Sequence, residues 1–200
     1  MNSQKDIFLS NEGDNYFIRN KKVLLEKDYA KDKIIQLVKS LLTKKKKINI
    51  LEIGCSSGFK LNYLVKNFSN IRNACGIDPS RKAIRSNKFK KIKLRVSTAD
   101  KIPFNLKFDF IILGFCLYLC DDRDLFKIAN EVYRLTKNNS FIIIEDFIQN
   151  KLEYKKYSHN KKIMTRKMNY IKMFSWHPKI RLIKKIKNNY ATIALLKKVT

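Results

Sequence analysis

The sequence lacks the features of a membrane-spanning, secreted or metal-binding protein. No apolar run in its 200 residues approaches the roughly 18 residues that a membrane helix requires. The N-terminus shows no basic segment followed by an apolar signal core. The four cysteines, Cys55, Cys75, Cys116 and Cys120, form no Cys-x-x-Cys pair, so we expect buried thiols, no metal site and no disulfide. We therefore expect a single-domain cytoplasmic protein.

Acidic residues are also scarce, with 17 against 44 basic residues and a net charge of +27. Such a charge suggests a nucleic-acid partner, because basic side chains neutralise phosphates. However, 35 of the basic residues are lysine and only 9 are arginine, whereas nucleic-acid readers exploit the bidentate arginine fork. We favour a compositional origin for most of the charge. Residues 151–187, with 13 basic residues against the single Glu153, keep an anionic partner open as an alternative.

Histidine and glycine are rare as well, and their positions are informative. The two histidines, His159 and His177, leave few candidates for a catalytic base. Four of the five glycines follow or end predicted strands, where a residue without a Cβ lets the backbone pass close to a ligand. These four are Gly54, Gly58, Gly76 and Gly114. This placement indicates a ligand site at the ends of strands.

Hydrophobic periodicity predicts an α/β fold. Apolar residues recur at helical spacing over 32–42 and 124–137, and Asn138-Asn139 would end the second helix. The nearly continuous apolar runs 48–53, 110–113 and 141–144 are typical of parallel strands that are covered on both faces. Strands at about 180–187 and 190–197, separated by Asn188-Asn189, can pair as a hairpin. The stretch after Phe147 is expected to be irregular.

The ligand loop lies between the first strand and the following helix. The order Gly54-Cys55-Ser56-Ser57-Gly58 contains neither Gly-x-Gly-x-x-Gly nor the Gly-Lys-Ser/Thr of a phosphate-binding loop. About twenty residues later Asp78 ends a second apolar run, as the ribose-binding acids of nucleotide folds do. Asp78 could instead cap the helix that begins near Ser80, or do both. The spacing predicts a cofactor that contains adenosine.

Five segments at these spacings resemble the motifs of class I S-adenosylmethionine-dependent methyltransferases. They are Leu51–Gly58, Gly76–Ser80, Ser97–Asp100, Phe108–Phe115 and Ser140–Phe147. The resemblance implies a Rossmann-like fold with seven strands, in which a mostly parallel sheet ends in an antiparallel hairpin and helices cover both faces. It also implies S-adenosylmethionine as the cofactor.

The resemblance assigns roles to individual residues. Asp78 would hold the ribose hydroxyls, Pro79 would lie against the adenine, and Asp100 would accept a hydrogen bond from the adenine amino group. Gly114 would contact the methionine end of the cofactor or only allow close packing. The implied cofactor-binding set is Glu52, Gly54, Cys55, Ser56, Gly58, Asp78, Pro79, Ala99, Asp100 and Gly114.

The flanking segments resemble bacterial methyltransferases associated with pseudaminic-type (nonulosonic) acid and surface-polysaccharide biosynthesis. The segments in question are Phe8–Asn20, Gly114–Leu119, Asp122–Phe126, Lys167–Tyr170 and Phe174–Pro178. This resemblance implies a small, sugar-like acceptor and a lid over the cofactor that includes Asp14–Asn20. We divide the chain into a lid and helix at 1–46, a cofactor-binding core at 47–147, an acceptor-side cap at 148–178 and a terminal hairpin at 179–200.

Three residues are candidates for the acceptor side. Asp146 and Tyr118 follow predicted strands, and His177 adjoins the only tryptophan, Trp176. Each could equally be a packing residue, and His177 could act as a base, bind the substrate or pack. Methyl transfer to oxygen or nitrogen of a metabolite is our first interpretation. An RNA methyltransferase that uses residues 151–187, and a non-catalytic partner subunit that binds S-adenosylmethionine, remain as alternatives.

Overall fold

The computed structural model describes residues 3–42, 46–187 and 190–200. An N-terminal helical segment comes first, with α1 at Gln4–Ile7, a π-helical turn at Phe8–Glu12 and α2 at Gly13–Glu26. Helix α3 spans Lys33–Leu41, and its N-cap Asp32 accepts hydrogen bonds from Ile34 N and Ile35 N. The helix predicted at 32–42 is therefore confirmed.

The core alternates strands and helices, as the apolar runs predict. Its elements are β1 (Ile48–Ile53), α4 (Phe59–Asn67), β2 (Ile71–Asp78), α5 (Arg81–Arg85), β3 (Ile92–Val96), β4 (Phe108–Gly114), α6 (Leu125–Leu135) and β5 (Thr136–Asp146). The chain then forms β6 (Glu153–Tyr157), β7 (Asn160–Lys167), α7 (Lys172–Ser175), β8 (Ile180–Lys187) and β9 (Thr192–Lys198). Every residue of β1 is buried.

The strands form one seven-stranded sheet and one separate hairpin. The order in the large sheet is β3-β2-β1-β4-β5-β9-β8. Strands β1 to β5 pair in parallel, whereas β9 pairs antiparallel with both β5 and β8. One buried cluster packs α6 and α7 against one face, and a second packs α3 and α4 against the other. The predicted fold class is confirmed, although the hairpin turn expected at Asn188-Asn189 lies outside the described residues.

Two local predictions differ from the structure. Helix α6 ends at Leu135, and Asn138-Asn139 lie inside β5. Thr136 is the C-cap of this helix: its backbone is extended, with ψ 127°, and begins β5. Its Oγ1 donates to Val132 O at 2.6 Å, which satisfies a carbonyl of the last turn. The stretch after Phe147 is also not irregular, since β6 and β7 pair antiparallel. Charged and polar residues interrupt both strands, so neither shows an apolar alternation. The hairpin is held instead by Tyr157 and Ile163, which pack against the N-terminal segment.

Candidate functional site

A cavity of about 330 Å³ lies at the carboxyl ends of the parallel strands. This edge is where open α/β sheets bind their ligands. The cavity is lined by nine of the ten predicted cofactor-binding residues: Glu52, Gly54, Cys55, Ser56, Asp78, Pro79, Ala99, Asp100 and Gly114. Only Gly58 is missing from the lining. The structure thus brings together residues that are spread over more than sixty positions of the sequence.

The glycine loop after β1 explains why Gly58 belongs to the motif without lining the cavity. Gly54 (φ 76°), Ser56 (φ 51°) and Gly58 (φ 81°) all have left-handed backbone conformations, which favour glycine. A Cβ on Gly58 would lie only 2.4 Å from Ile92 Cδ1. Gly58 therefore lets α4 begin against β3, and its part in the site is indirect.

Asp78 joins the two loops that border the cavity. Its Oδ2 accepts a hydrogen bond from Ser56 N, and its Oδ1 accepts one from Ser80 N, both at 2.8 Å. Burial raises the pKa of Asp78 to about 6, although the two backbone donors offset part of this effect. The N-cap of α5 is Ser80, whose Oγ accepts from Ala83 N. Asp78 therefore does not cap this helix, and each of its oxygens keeps a lone pair for a ligand.

Asp100 has a partner that the sequence analysis missed. Lys5 Nζ lies 2.6 Å from Asp100 Oδ2 and 3.2 Å from Asp124 Oδ1. Burial alone would raise the pKa of Asp100, but the hydrogen bond from Lys5 holds it below its usual value. Lys5 also lines the cavity, so the N-terminal segment contributes a charged group at the end where the resemblance places adenine.

A buried ion pair lies in the cavity lining beside Gly114. Lys60 Nζ, from α4, is 3.1 Å from Glu52 Oε1. Burial by itself lowers the pKa of Lys60, but the carboxylates of Glu52, Asp32 and Glu145 raise it above its usual value. Glu52 Oε2 and Ser56 Oγ are buried and accept no hydrogen bond within the described part of the chain. Since buried polar atoms are rarely left unpaired, both are available to polar groups of a ligand or to water in the cavity.

The N-terminal segment closes over the cavity. Gly13 packs against the loop after β2, and a Cβ there would lie 2.7 Å from Phe8 O and 3.0 Å from Ser80 N. Asp14 Oδ1 accepts hydrogen bonds from Ser80 Oγ at 2.7 Å and Lys82 N at 2.8 Å. Tyr16, Phe17 and Asn20 then line the cavity. This geometry is consistent with the lid that the resemblance implies at Asp14–Asn20, and it adds Lys5, Phe8 and Gly13 to it.

The structure does not bring the three catalytic candidates to the cavity. The fully buried Asp146 accepts hydrogen bonds from Leu117 N at 3.0 Å, Tyr118 N at 3.3 Å and Phe147 N at 2.8 Å. Burial raises the pKa of Asp146 to about 7. These bonds position the loop after β4. The Tyr118 ring packs edge-on against Phe147, with centroids 4.9 Å apart, and does not line the cavity.

His177 and Trp176 lie near the amino ends of the parallel strands, at the end of the sheet away from the cavity. Ile180 at the start of β8 and Ser140 in β5 both pair with Lys198, so β8 runs parallel to β5 and begins near the amino ends of the strands. The His177 ring packs against Tyr133, with centroids 4.6 Å apart, and its Nδ1 accepts from Lys179 N. Trp176 is 68% exposed. Residues 148–178 therefore run from the carboxyl ends of the strands to their amino ends. The expectation that Trp176 and His177 flank the acceptor has no support in this geometry.

Within residues 3–42, 46–187 and 190–200, no cluster of three metal-ligating side chains is present. The helices of these residues include none with the length and apolarity needed to cross a bilayer. Arg166, which belongs to the basic segment, is buried, and its Nε lies 2.6 Å from Asp122 Oδ1. This arginine therefore holds the hairpin in place, and only the lysines of the hairpin form an exposed basic surface.

Comparisons with known proteins agree with this geometry. A family model described as a methyltransferase domain matches residues 51–144. A search of curated proteins finds no match to the chain.

Solved structures share the fold at low sequence identity. A methyltransferase from Clostridium acetobutylicum superposes with a TM-score of 0.66 at 16% identity, covering 92% of this chain and 98% of its own. The 1,6-didemethyltoxoflavin-N1-methyltransferase of Burkholderia thailandensis superposes with a TM-score of 0.70 at 10% identity, and the match covers 98% of this chain and 87% of that protein. A Haloferax volcanii protein in complex with the Trm112 methyltransferase activator gives 0.65 at 11% identity, covering all of both chains.

Identities this low show a common fold, and the family match adds the enzyme class. The match confirms the class and the cofactor that the sequence motifs predict. Residues 51–144, a little less than half of the chain, match a methyltransferase domain, and S-adenosylmethionine is the cofactor.

Proposed function

We propose that this protein transfers a methyl group from S-adenosylmethionine to oxygen or nitrogen of a small metabolite. The observation that supports the proposal is the cavity at the carboxyl ends of β1, β2 and β4. Its lining joins the glycine loop, Asp78 and Asp100 to two buried oxygens without partners, Glu52 Oε2 and Ser56 Oγ. These groups suit a ligand with ribose hydroxyls, an adenine amino group and a charged amino-acid end.

When bound, the cofactor supplies a methyl group that its sulfonium charge already activates. The residues of the chain must then bind the cofactor, orient the acceptor atom toward the methyl group and exclude water. Asp78 and Asp100 would hold the nucleoside, while Glu52 and Lys60 would hold the amino-acid end. The rest of the cavity lining includes four aromatic rings, which make it largely apolar: Phe8, Tyr16, Phe17 and Phe115. Orientation of this kind is worth roughly 7–11 kcal/mol of the barrier.

A sugar or glycan precursor, the acceptor implied by the sequence resemblance, remains part of this proposal. The Burkholderia structure supports a small acceptor in general, since that protein is a methyltransferase of 1,6-didemethyltoxoflavin, a small molecule. A cytoplasmic location also belongs to the proposal, because all four cysteines are free thiols.

The RNA alternative has one observation in its favour. Lys155, Lys156, Lys161 and Lys162 are all exposed on the β6–β7 hairpin, and this hairpin packs against the N-terminal segment beside the cavity. Exposed lysines attract phosphates without selecting a sequence. The partner-subunit alternative stays open, and the Haloferax structure is an example of a protein of this fold that forms a complex with an activator.

The test of the proposal has two steps. Calorimetry with S-adenosylmethionine and S-adenosylhomocysteine should show binding to the wild-type protein. Incubation with methyl-labelled cofactor should then place the label in the small-molecule fraction of a cell extract and not in its RNA. Label in the RNA fraction would favour the RNA alternative, as would RNA binding by the protein that survives 200 mM salt. Cofactor binding without any transfer would favour the partner subunit.

A further inference from the structure

The ends of β4 and β5 bring one carboxylate to the cavity that the cofactor motifs leave unassigned. Gly114 and Glu145 are register partners in adjacent strands, and Phe115 N donates to Glu145 O at 2.7 Å. The Glu145 side chain is half-buried and lines the cavity. In the part of the chain that the structure describes, its carboxylate forms no hydrogen bond and no ion pair. It is therefore available to a ligand.

The charged groups around Glu145 leave its carboxylate without a close cationic partner of its own in the described part of the chain. Two close ion pairs face it: Lys60 with Glu52 at 3.1 Å, and Lys27 with Asp32 at 2.5 Å. Lys33, at the start of α3, also acts on Glu145 but is exposed to solvent. Because each pair is neutral in itself, the one cation of this group left to balance Glu145 is Lys33, whose charge is screened by solvent. Burial raises the pKa of Glu145. A cation beside it would complete the charge balance.

Aromatic rings lie next to this carboxylate. The Phe115 backbone is left-handed, with φ 50°, and a non-glycine residue in this region is strained and often marks a functional site. The Phe115 ring stacks on Tyr190, with centroids 6.1 Å apart, and lies 5.4 Å from the Phe147 ring. Phe115 and Tyr190 both line the cavity. Aromatic faces with an adjacent carboxylate attract ammonium groups through their quadrupoles.

We propose that Glu145, Phe115 and Tyr190 form the acceptor subsite and that this subsite takes a ring-bearing amine in its ammonium form. Glu145 accepts one proton from the ammonium group, which leaves a neutral amine with a free lone pair at nitrogen. The proton then passes from Glu145 to water at the cavity mouth. This inference rests on the proposed function, and it selects nitrogen as the methylated atom. An amino sugar and an aromatic amine would both satisfy this chemistry.

The test uses binding and does not require the true acceptor. The protein is saturated with S-adenosylhomocysteine and titrated with phenethylamine, and in parallel with the neutral 2-phenylethanol. We expect the amine to bind at least tenfold more tightly than the alcohol, because a charge-assisted bond to Glu145 is added. Glu145→Gln should remove this preference. Glu153→Gln makes the same change outside the cavity and should retain it. Equal binding of the two probes by the wild type, or an unchanged preference in Glu145→Gln, overturns the proposal.

A second titration separates this role from one toward the cofactor. If Glu145 serves the acceptor, Glu145→Gln should leave the affinities for S-adenosylmethionine and S-adenosylhomocysteine unchanged. A loss shared by both forms would show that Glu145 binds the amino-acid end of the cofactor, and a selective loss for the sulfonium form would show that it balances the sulfonium charge. Either loss would make the acceptor proposal wrong. Failure of the wild type to bind either cofactor form would instead refute the proposed function. Phe115→Leu should weaken phenethylamine binding to the protein saturated with S-adenosylhomocysteine, and unchanged phenethylamine binding would remove Phe115 from the acceptor subsite.

Discussion

The ionisation of Asp78 makes cofactor binding depend on pH in a way that can be calculated. The pKa of this carboxyl in the free protein is about 6, and ribose hydroxyls donate best to its ionised form. At pH 8 nearly all of the protein is ionised at this position, whereas at pH 5 only about a tenth is. Binding at pH 5 must therefore include the ionisation of Asp78.

The expected cost is about 1.4 kcal/mol, or a tenfold weaker affinity for S-adenosylhomocysteine at pH 5 than at pH 8. The affinity falls with falling pH because the pKa of Asp78 is raised: lowering the pH through 6 protonates Asp78 in the free protein, whereas the ligand favours its carboxylate form. The full factor applies when the hydroxyl bonds lower the pKa of Asp78 in the complex below about 4. The assay is calorimetric titration at half-unit steps of pH between 5 and 8.

Asp78→Asn is the decisive variant. It cannot ionise, so its affinity should be flat over this range. At pH 8 it should be lower than that of the wild type by roughly 2 kcal/mol, because two bonds to a charged group become bonds to a neutral one. Asp146→Asn serves as the control, because the Asp146 carboxyl also has a raised pKa but lies outside the cavity lining. A flat wild-type profile, or a slope that persists in Asp78→Asn, would refute the reasoning.

Three further predictions follow from the packing and the charges. Gly58→Ala should lower the free energy of unfolding by roughly 1–3 kcal/mol in denaturant titrations, because its Cβ would meet Ile92 Cδ1 at 2.4 Å; in Gly114→Ala the Cβ meets only Lys60 Nζ at 3.5 Å, and an equal loss of stability there would contradict the argument. Reversal of Lys155, Lys156, Lys161 and Lys162 to glutamate should leave the affinity for S-adenosylhomocysteine unchanged and abolish only salt-sensitive RNA binding in gel-shift assays; a change in cofactor affinity would show that the hairpin shapes the site. Trp176→Ala with His177→Ala should leave both cofactor and phenethylamine affinities unchanged, and a loss of either would place this pair closer to the site than the strand directions allow.

The sequence alone was enough to predict the cofactor and most of the residues that line the cavity for it. Gly54, Gly58 and Asp78 could be interpreted because their constraints are local: a left-handed backbone after a strand, and a carboxylate at the end of the next strand. The carboxyl ends of parallel strands meet at one edge of the sheet, so the order of the motifs was enough to bring Asp100 and Gly114 to the same cavity. The apolar runs indicated an α/β fold with a parallel sheet, and the resemblance to methyltransferases supplied the seven-stranded arrangement.

Only the tertiary structure decided which residues complete the site. Lys5 and Asp100 are separated by 95 positions, and no local pattern signals their pairing. Asp14 could be suspected as part of a lid, but its bonds to Ser80 and Lys82 depend on how α2 packs. Glu145 and Asp146 look alike in the sequence, and the alternation of a strand places one in the cavity and buries the other against backbone donors. The direction of β8 likewise separates His177 from the site, because strand direction depends on pairing with β9 and not on spacing along the chain.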